Sequence, residues 1–115
     1  MSIIDRDLIM RQLRFLQQLL ARVMKVQAEK NTPTAIDELH GGYRLVLGVP
    51  YELLSRVDVS SALLMLRMPE RQTAYVELLR TEAELLRTQG DTSAAEVLDR
   101  RAARVVAARE STPAV

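Results

Sequence analysis

The sequence predicts an all-α fold, a small bundle of five to six helices with an antiparallel hairpin in its C-terminal half. Apolar residues recur at three- and four-residue spacing along most of the 115 positions, the period that gathers them on one helix face. Ala74, Tyr75, Leu78, Leu79, Leu85 and Leu86 share one broad apolar face, opposite Glu77, Arg80, Thr81, Glu84, Arg87 and Thr88. Beyond Gln89-Gly90-Asp91, Ala94, Ala95, Leu98, Ala102 and Val105 form a narrower second stripe. Gly90 can take the left-handed conformation that ends a helix, so Ala74 to Ala108 reads as two helices folded back on each other. The alanines would let the two axes approach closely, and Ser93 with Glu96 has the capping-box spacing that would start the second helix.

The first helix is expected from about Asp5 to Gln27. Ile9, Leu13, Leu16, Leu20 and Val23 make one stripe, with Leu8, Phe15, Leu19 and Val26 as another beside it. A surface helix needs only about 100° of apolar arc, so two stripes imply two neighbours: the helix is wedged centrally, or one stripe meets another copy of the chain. Arg6, Arg11, Arg14, Arg22, Lys25 and Lys30 outnumber Asp5, Asp7 and Glu29 here, which reads first as a solvated basic face and second as a phosphate-binding surface.

Lys30-Asn31-Thr32-Pro33-Thr34 is a break. Thr34 and Asp37 stand at capping-box distance, and Ile36, Leu39, Tyr43, Val46 and Leu47 mark a second helix ending at Gly48. Gly41 and Gly42 inside it each disfavour the helix by about 1 kcal/mol relative to alanine. Close packing of a neighbouring helix would offset that, and a functional kink or ligand contact beside His40 and Tyr43 is the alternative. Val49-Pro50 reinitiates the chain, Pro50 to Leu54 is a short helical turn, and Asp58 caps a helix from Val59 to Arg67. Leu63, Leu64, Met65, Leu66 and Met68 make that segment apolar nearly all round, as a buried or interfacial helix would be. Pro69 is placed to open the hairpin's first helix, and residues 111–115 lack periodicity and are expected to be a disordered tail. The whole is one domain, 1–110.

No cysteine occurs, which removes disulfides, thiol catalysis and thiolate zinc sites. The N-terminus is too charged for a signal peptide and no apolar run reaches the ~20 residues of a membrane span, so a cytoplasmic protein away from membranes is expected. With 16 basic and 15 acidic residues the net charge is +1, and this balance argues against a nucleic-acid partner. Phe15, Tyr43, Tyr51 and Tyr75 are the complete set of aromatic residues apart from the histidine, too sparse a set for base stacking.

Gly90-Asp91 followed by Ala95 and Ala102 resembles the second half of a tetratricopeptide-type unit, with Ala83 at a small-residue position. Leu86 and Asp99 depart from that pattern, standing where a tyrosine and an aromatic residue are usual. More broadly, Asp7-Leu8-Ile9-Met10-Arg11 and Ala83-Glu84-Leu85-Leu86 before Gly90-Asp91 are similar to a small uncharacterised bacterial all-helical family. The tetratricopeptide resemblance implies a groove, lined by Glu77, Arg80, Glu84 and Arg87, that could clamp a peptide terminus. Read from spacing alone, the same four residues form exposed pairs along one helix.

No residue is assigned a catalytic, cofactor-binding or metal-binding role. His40 is the sole histidine and is expected on a surface or helix flank. None of the nucleophile-elbow, phosphate-loop or zincin motifs occurs. Glu82 points into the apolar face beside Leu78, Leu85 and Leu86, and a buried carboxylate needs a partner; an arginine, Arg101 on the next helix first, is expected, and a wet subunit seam is the alternative. The function expected is a non-enzymatic protein–protein interaction module without cofactor. It would form a homo-oligomer through surplus apolar surface at Phe15, Leu19, Leu63, Leu64 and Met68. The alternatives are a peptide-binding adaptor and, behind it, a nucleic-acid-binding helical protein.

Overall fold

The hairpin forms because its turn satisfies the backbone at both helix ends. The computed structural model of the chain describes residues 3–111, and side chains from 6 to 110. Numbered in chain order, the helical stretches are α1 (Ile3–Ala28), α2 (Thr32–Gly41), α3 (Tyr43–Leu47), α4 (Tyr51–Leu54), α5 (Val59–Leu66), α6 (Pro69–Thr88) and α7 (Thr92–Ser111). They compose a small all-α bundle with no strand among the described residues. The expected tail, 111–115, lies outside the described residues except for Ser111 at the end of α7.

At the end of α6, Gly90 is left-handed at φ +85°. Gly90 N–H donates to Arg87 O and Asp91 N–H to Leu86 O, both at 2.9 Å, the paired bonds of a Schellman ending. Asp91 then opens α7, its side chain accepting from Ala94 N–H at 3.2 Å. The cap is therefore Asp91, two residues ahead of the expected Ser93.

The same linkage closes α1 onto α2. Lys30 is left-handed at φ 60°, Lys30 N–H donates to Gln27 O at 2.9 Å, and Asn31 N–H donates to Val26 O at 3.4 Å. Asn31 caps α2 by accepting from Thr34 N–H, so Asn31 and not Thr34 does the capping, with Pro33 in the first turn. Every partner recurs 60 residues later, from Val26 and Leu86 through Asn31 and Asp91 to Ala35 and Ala95. Ala35 and Ala95 are both fully buried, one turn inside each second helix where the two axes must come close.

The expected second helix is two. α2 stops at Gly41, Gly42 is the joint, and α3 runs only to Leu47 before left-handed Gly48. A Cβ on Gly42 would lie 2.9 Å from Leu19 Cγ and nearer still to both its methyls, whereas one on Gly41 would meet nothing within 4 Å. Close packing thus accounts for Gly42 and leaves Gly41 unexplained. Leu19 is buried beneath Gly42, and Phe15 and Val26 pack on the core. The stripe of α1 that looked spare is therefore covered within the chain, apart from Leu8 at its edge. Met10, Leu13 and Met24 are exposed on the other flank of α1. Asp58 caps α5 as expected, accepting from Ser61 N–H at 3.0 Å, and Pro69 begins α6.

Candidate functional site

Glu82 sits in the middle of the buried face of α6 and is 5% exposed. Its partner is His40 near the end of α2, whose Nε2 lies 2.7 Å from Glu82 Oε1. Arg101, the expected partner, instead donates from Nε to Tyr75 Oη at 2.7 Å and from Nη2 to Leu54 O at 2.9 Å. His40 is accordingly not a surface histidine. Its ring stacks on Tyr51 with centroids 3.6 Å apart and planes 8° from parallel. Tyr43, one turn after His40, stands edge-on to Tyr51 and Tyr75 at 5.3 and 6.2 Å.

This cluster draws on α2, α3, α4, α6 and α7, with α4 held to α7 through the Leu54 carbonyl. Burial, and then the Glu82 charge, pushes the Tyr43 phenol well above its ordinary value. The same two influences raise Tyr51. Burial raises Tyr75 as well, against the opposing pull of the Arg101 hydrogen bond. The Tyr43 hydroxyl is buried and has no hydrogen-bond partner. Among the described residues, no group of three or more His, Cys, Asp or Glu side chains is arranged to hold a metal ion. The cluster brings His40 and Glu82 together as a pair and wraps them in aromatic rings, an arrangement that fixes how the helices meet.

Sequence reasoning placed Glu82 on the apolar face but gave it the wrong partner. His40 and Tyr43, at i and i+3 on α2 and α3, were the available signal that the histidine faces inward.

A second feature lies at the other end of α7. α5, the start of α6 and the end of α7 enclose an open groove of about 1200 Å³. Leu63, Pro69 and Val106 contribute apolar lining, Gln72 donates across it to Leu63 O at 3.4 Å, and Arg67, Arg109 and Glu110 stand around it. Leu64, on the same lining, is 75% exposed, the most exposed of the large apolar side chains among the described residues. Arg67 is a non-glycine residue at φ 61° and ψ −50°, a strained backbone conformation. Met68 is half-buried beside it.

The outer face of α6 keeps Glu77, Arg80, Glu84 and Arg87 exposed. Arg87 bonds Glu84 one turn away at 2.9 Å and crosses the hairpin to Asp99 on α7. Beside α6, Gln12 of α1 accepts from Arg71 Nε at 2.6 Å and Nη2 at 2.5 Å when its amide oxygen faces the guanidinium. On α1's basic face, Arg22 reaches Glu38 of α2 at 3.5 Å. No helix among the described residues is long and apolar enough to cross a membrane.

The class of protein that the fold defines is the small all-α bundle. No protein-family model, curated protein or solved structure matches the chain.

Proposed function

We propose that this chain is a non-enzymatic interaction module whose principal partner is another copy of itself. The supporting observation is Leu64, 75% exposed on the wall of a groove that also presents Leu63, Pro69 and Val106. Exposed apolar side chains are ordinary when scattered singly. Leu64 stands instead beside a concavity that gathers further apolar side chains among polar ones, which concentrates apolar contact at one place on the surface. Of the self-association residues expected from sequence, Leu63, Leu64 and Met68 remain candidates. Leu19 does not, because Gly42 covers it, and Phe15 is largely occupied by the core. Light scattering of the purified chain at about 10 µM, a concentration at which a micromolar dimer is well populated, should give a weight-average mass clearly above the 13.0 kDa of one chain and approaching twice that value as the concentration rises. A mass of one chain at that concentration would overturn the reading.

A second reading, a peptide-binding adaptor, is favoured by one observation. An isolated tetratricopeptide-like hairpin cannot bury both its faces, and here a second hairpin, α1–α2, closes through the same turn and lies against the first. The peptide would run along the outer face of α6 past Glu77, Arg80, Glu84 and Arg87. Arg80→Glu with Arg87→Glu should then abolish capture of a peptide partner and leave the oligomeric mass unchanged. Unchanged capture would remove this reading.

A further inference from the structure

We infer that the groove between α5 and α7 is a two-fold interface in which Leu64 of each chain enters the groove of the other. This rests on the self-association reading and names the surface that carries it.

The open groove measures about 1200 Å³, room for a partner's Leu64 together with the side chains around it, and Leu64 projects from its wall with 75% of its surface exposed. A projection and a cavity on one patch are what an isologous contact requires, because a two-fold axis presents each projection to the partner's cavity. The charges around it agree. Arg67, Arg109 and Glu110 put both signs around the same opening, so a copy turned through the two-fold axis can set its Glu110 against a cation of the first. A partner of uniform charge would meet attraction and repulsion together.

Among the described residues, other large apolar side chains are exposed at Leu8, Leu45, Leu53 and Val97, and three more, Met10, Leu13 and Met24, gather on one flank of α1. That flank belongs to a single helix. The small space there, between Leu13, Val46, Glu70 and Ala74, has a volume of only about 10 Å³.

The test is sedimentation velocity on the full chain in parallel with Leu64→Glu, Met24→Glu, Arg67→Glu, and Arg67→Glu combined with Glu110→Arg. Leu64 and Met24 are both exposed, so both single variants should keep the wild-type helical circular dichroism. Leu64→Glu should raise the dimer dissociation constant by at least about a hundredfold, as loss of a central apolar anchor does, with Met24→Glu within about threefold of wild type. Arg67→Glu should weaken the dimer about tenfold and the double reversal should restore part of that loss. A dimer that survives Leu64→Glu overturns the assignment of the groove. If it instead dissociates with Met24→Glu, the interface is on α1 and self-association stands without this surface. Equal dissociation by both variants also counts against the groove, as unspecific apolar clustering. A wild-type chain that sediments as 13.0 kDa defeats self-association itself.

Discussion

The His40–Glu82 pair is asymmetric, and the asymmetry can be measured. Glu82 is 7% exposed in its side chain and His40 is 21% exposed. Replacing His40 with leucine leaves a buried carboxylate without its partner, which costs about 3 kcal/mol in comparable cases. Replacing Glu82 with leucine leaves a histidine at the edge of the core, still stacked on Tyr51 and within reach of water. Urea denaturation should therefore show His40→Leu losing about 3 kcal/mol and Glu82→Leu losing less than about 1 kcal/mol. Equal losses would mean that the carboxylate is better solvated than its burial implies. Tyr43 supplies a second measurement. Its buried hydroxyl has no partner, so Tyr43→Phe should be neutral or stabilising by about 1 kcal/mol. Burial raises the Tyr43 phenol above the ordinary 10.0. The unfolded chain therefore releases this proton first, so the contribution to stability is complete below pH 10 and is lost as pH rises toward the folded value. The stability of Tyr43→Phe should decline more shallowly above pH 10 than that of wild type. Parallel decline would show that Tyr43 does not titrate differently in the two states.

At the level of elements, the two hairpins share one closure but not one residue at its tightest point. Gly90 enters the left-handed region without a steric penalty, while Lys30 does so with a Cβ. Lys30→Gly should raise stability by about 1 kcal/mol, and Gly90→Lys should lower it by a similar amount. Thermal melts of both variants check this, and a destabilised Lys30→Gly would show that the lysine side chain does more than occupy the turn. The later hairpin was legible in the sequence because Gly-Asp announces its turn and the apolar spacing around it is regular. The earlier one was not. Lys30 disguises the left-handed position, and Pro33 and Thr34 suggested a cap three residues too late. The break at Gly42 was hidden for a related reason: apolar spacing continues through it from Leu39 to Val46, and only the contact with Leu19 reveals why the residue is small. Gln72-Leu79-Thr92-Ala95 against Gln12-Leu19-Thr32-Ala35 is the weak internal echo that could have exposed the repeat.

For the molecule as a whole, the all-helical class followed from periodicity, but which apolar surface stays uncovered did not. A helix wheel gives α1 two stripes and cannot say which of them the rest of the chain covers. Leu19 and Leu64 look alike in sequence, yet one is 4% and the other 75% exposed. The aromatic cluster was equally hidden, because Tyr51, Tyr75 and His40 come from three separate helices. The envelope measures 44 × 28 × 20 Å, with a radius of gyration of 14.4 Å, slightly extended for a domain of this length. Association through one face of such a slab should add to stability by mass action, so the melting temperature should climb with protein concentration in wild type and stay flat in Leu64→Glu.

The spacer between the two matching hairpins, α3 to α5, has no counterpart in either of them. It supplies Tyr51 and the Leu54 carbonyl to the interior, and it carries Leu64 on its outer side. Lengthening or shortening it would change how far apart the two hairpins are held and which way Leu64 faces. In such a layout, editing that middle segment alone would re-space two otherwise unchanged hairpins.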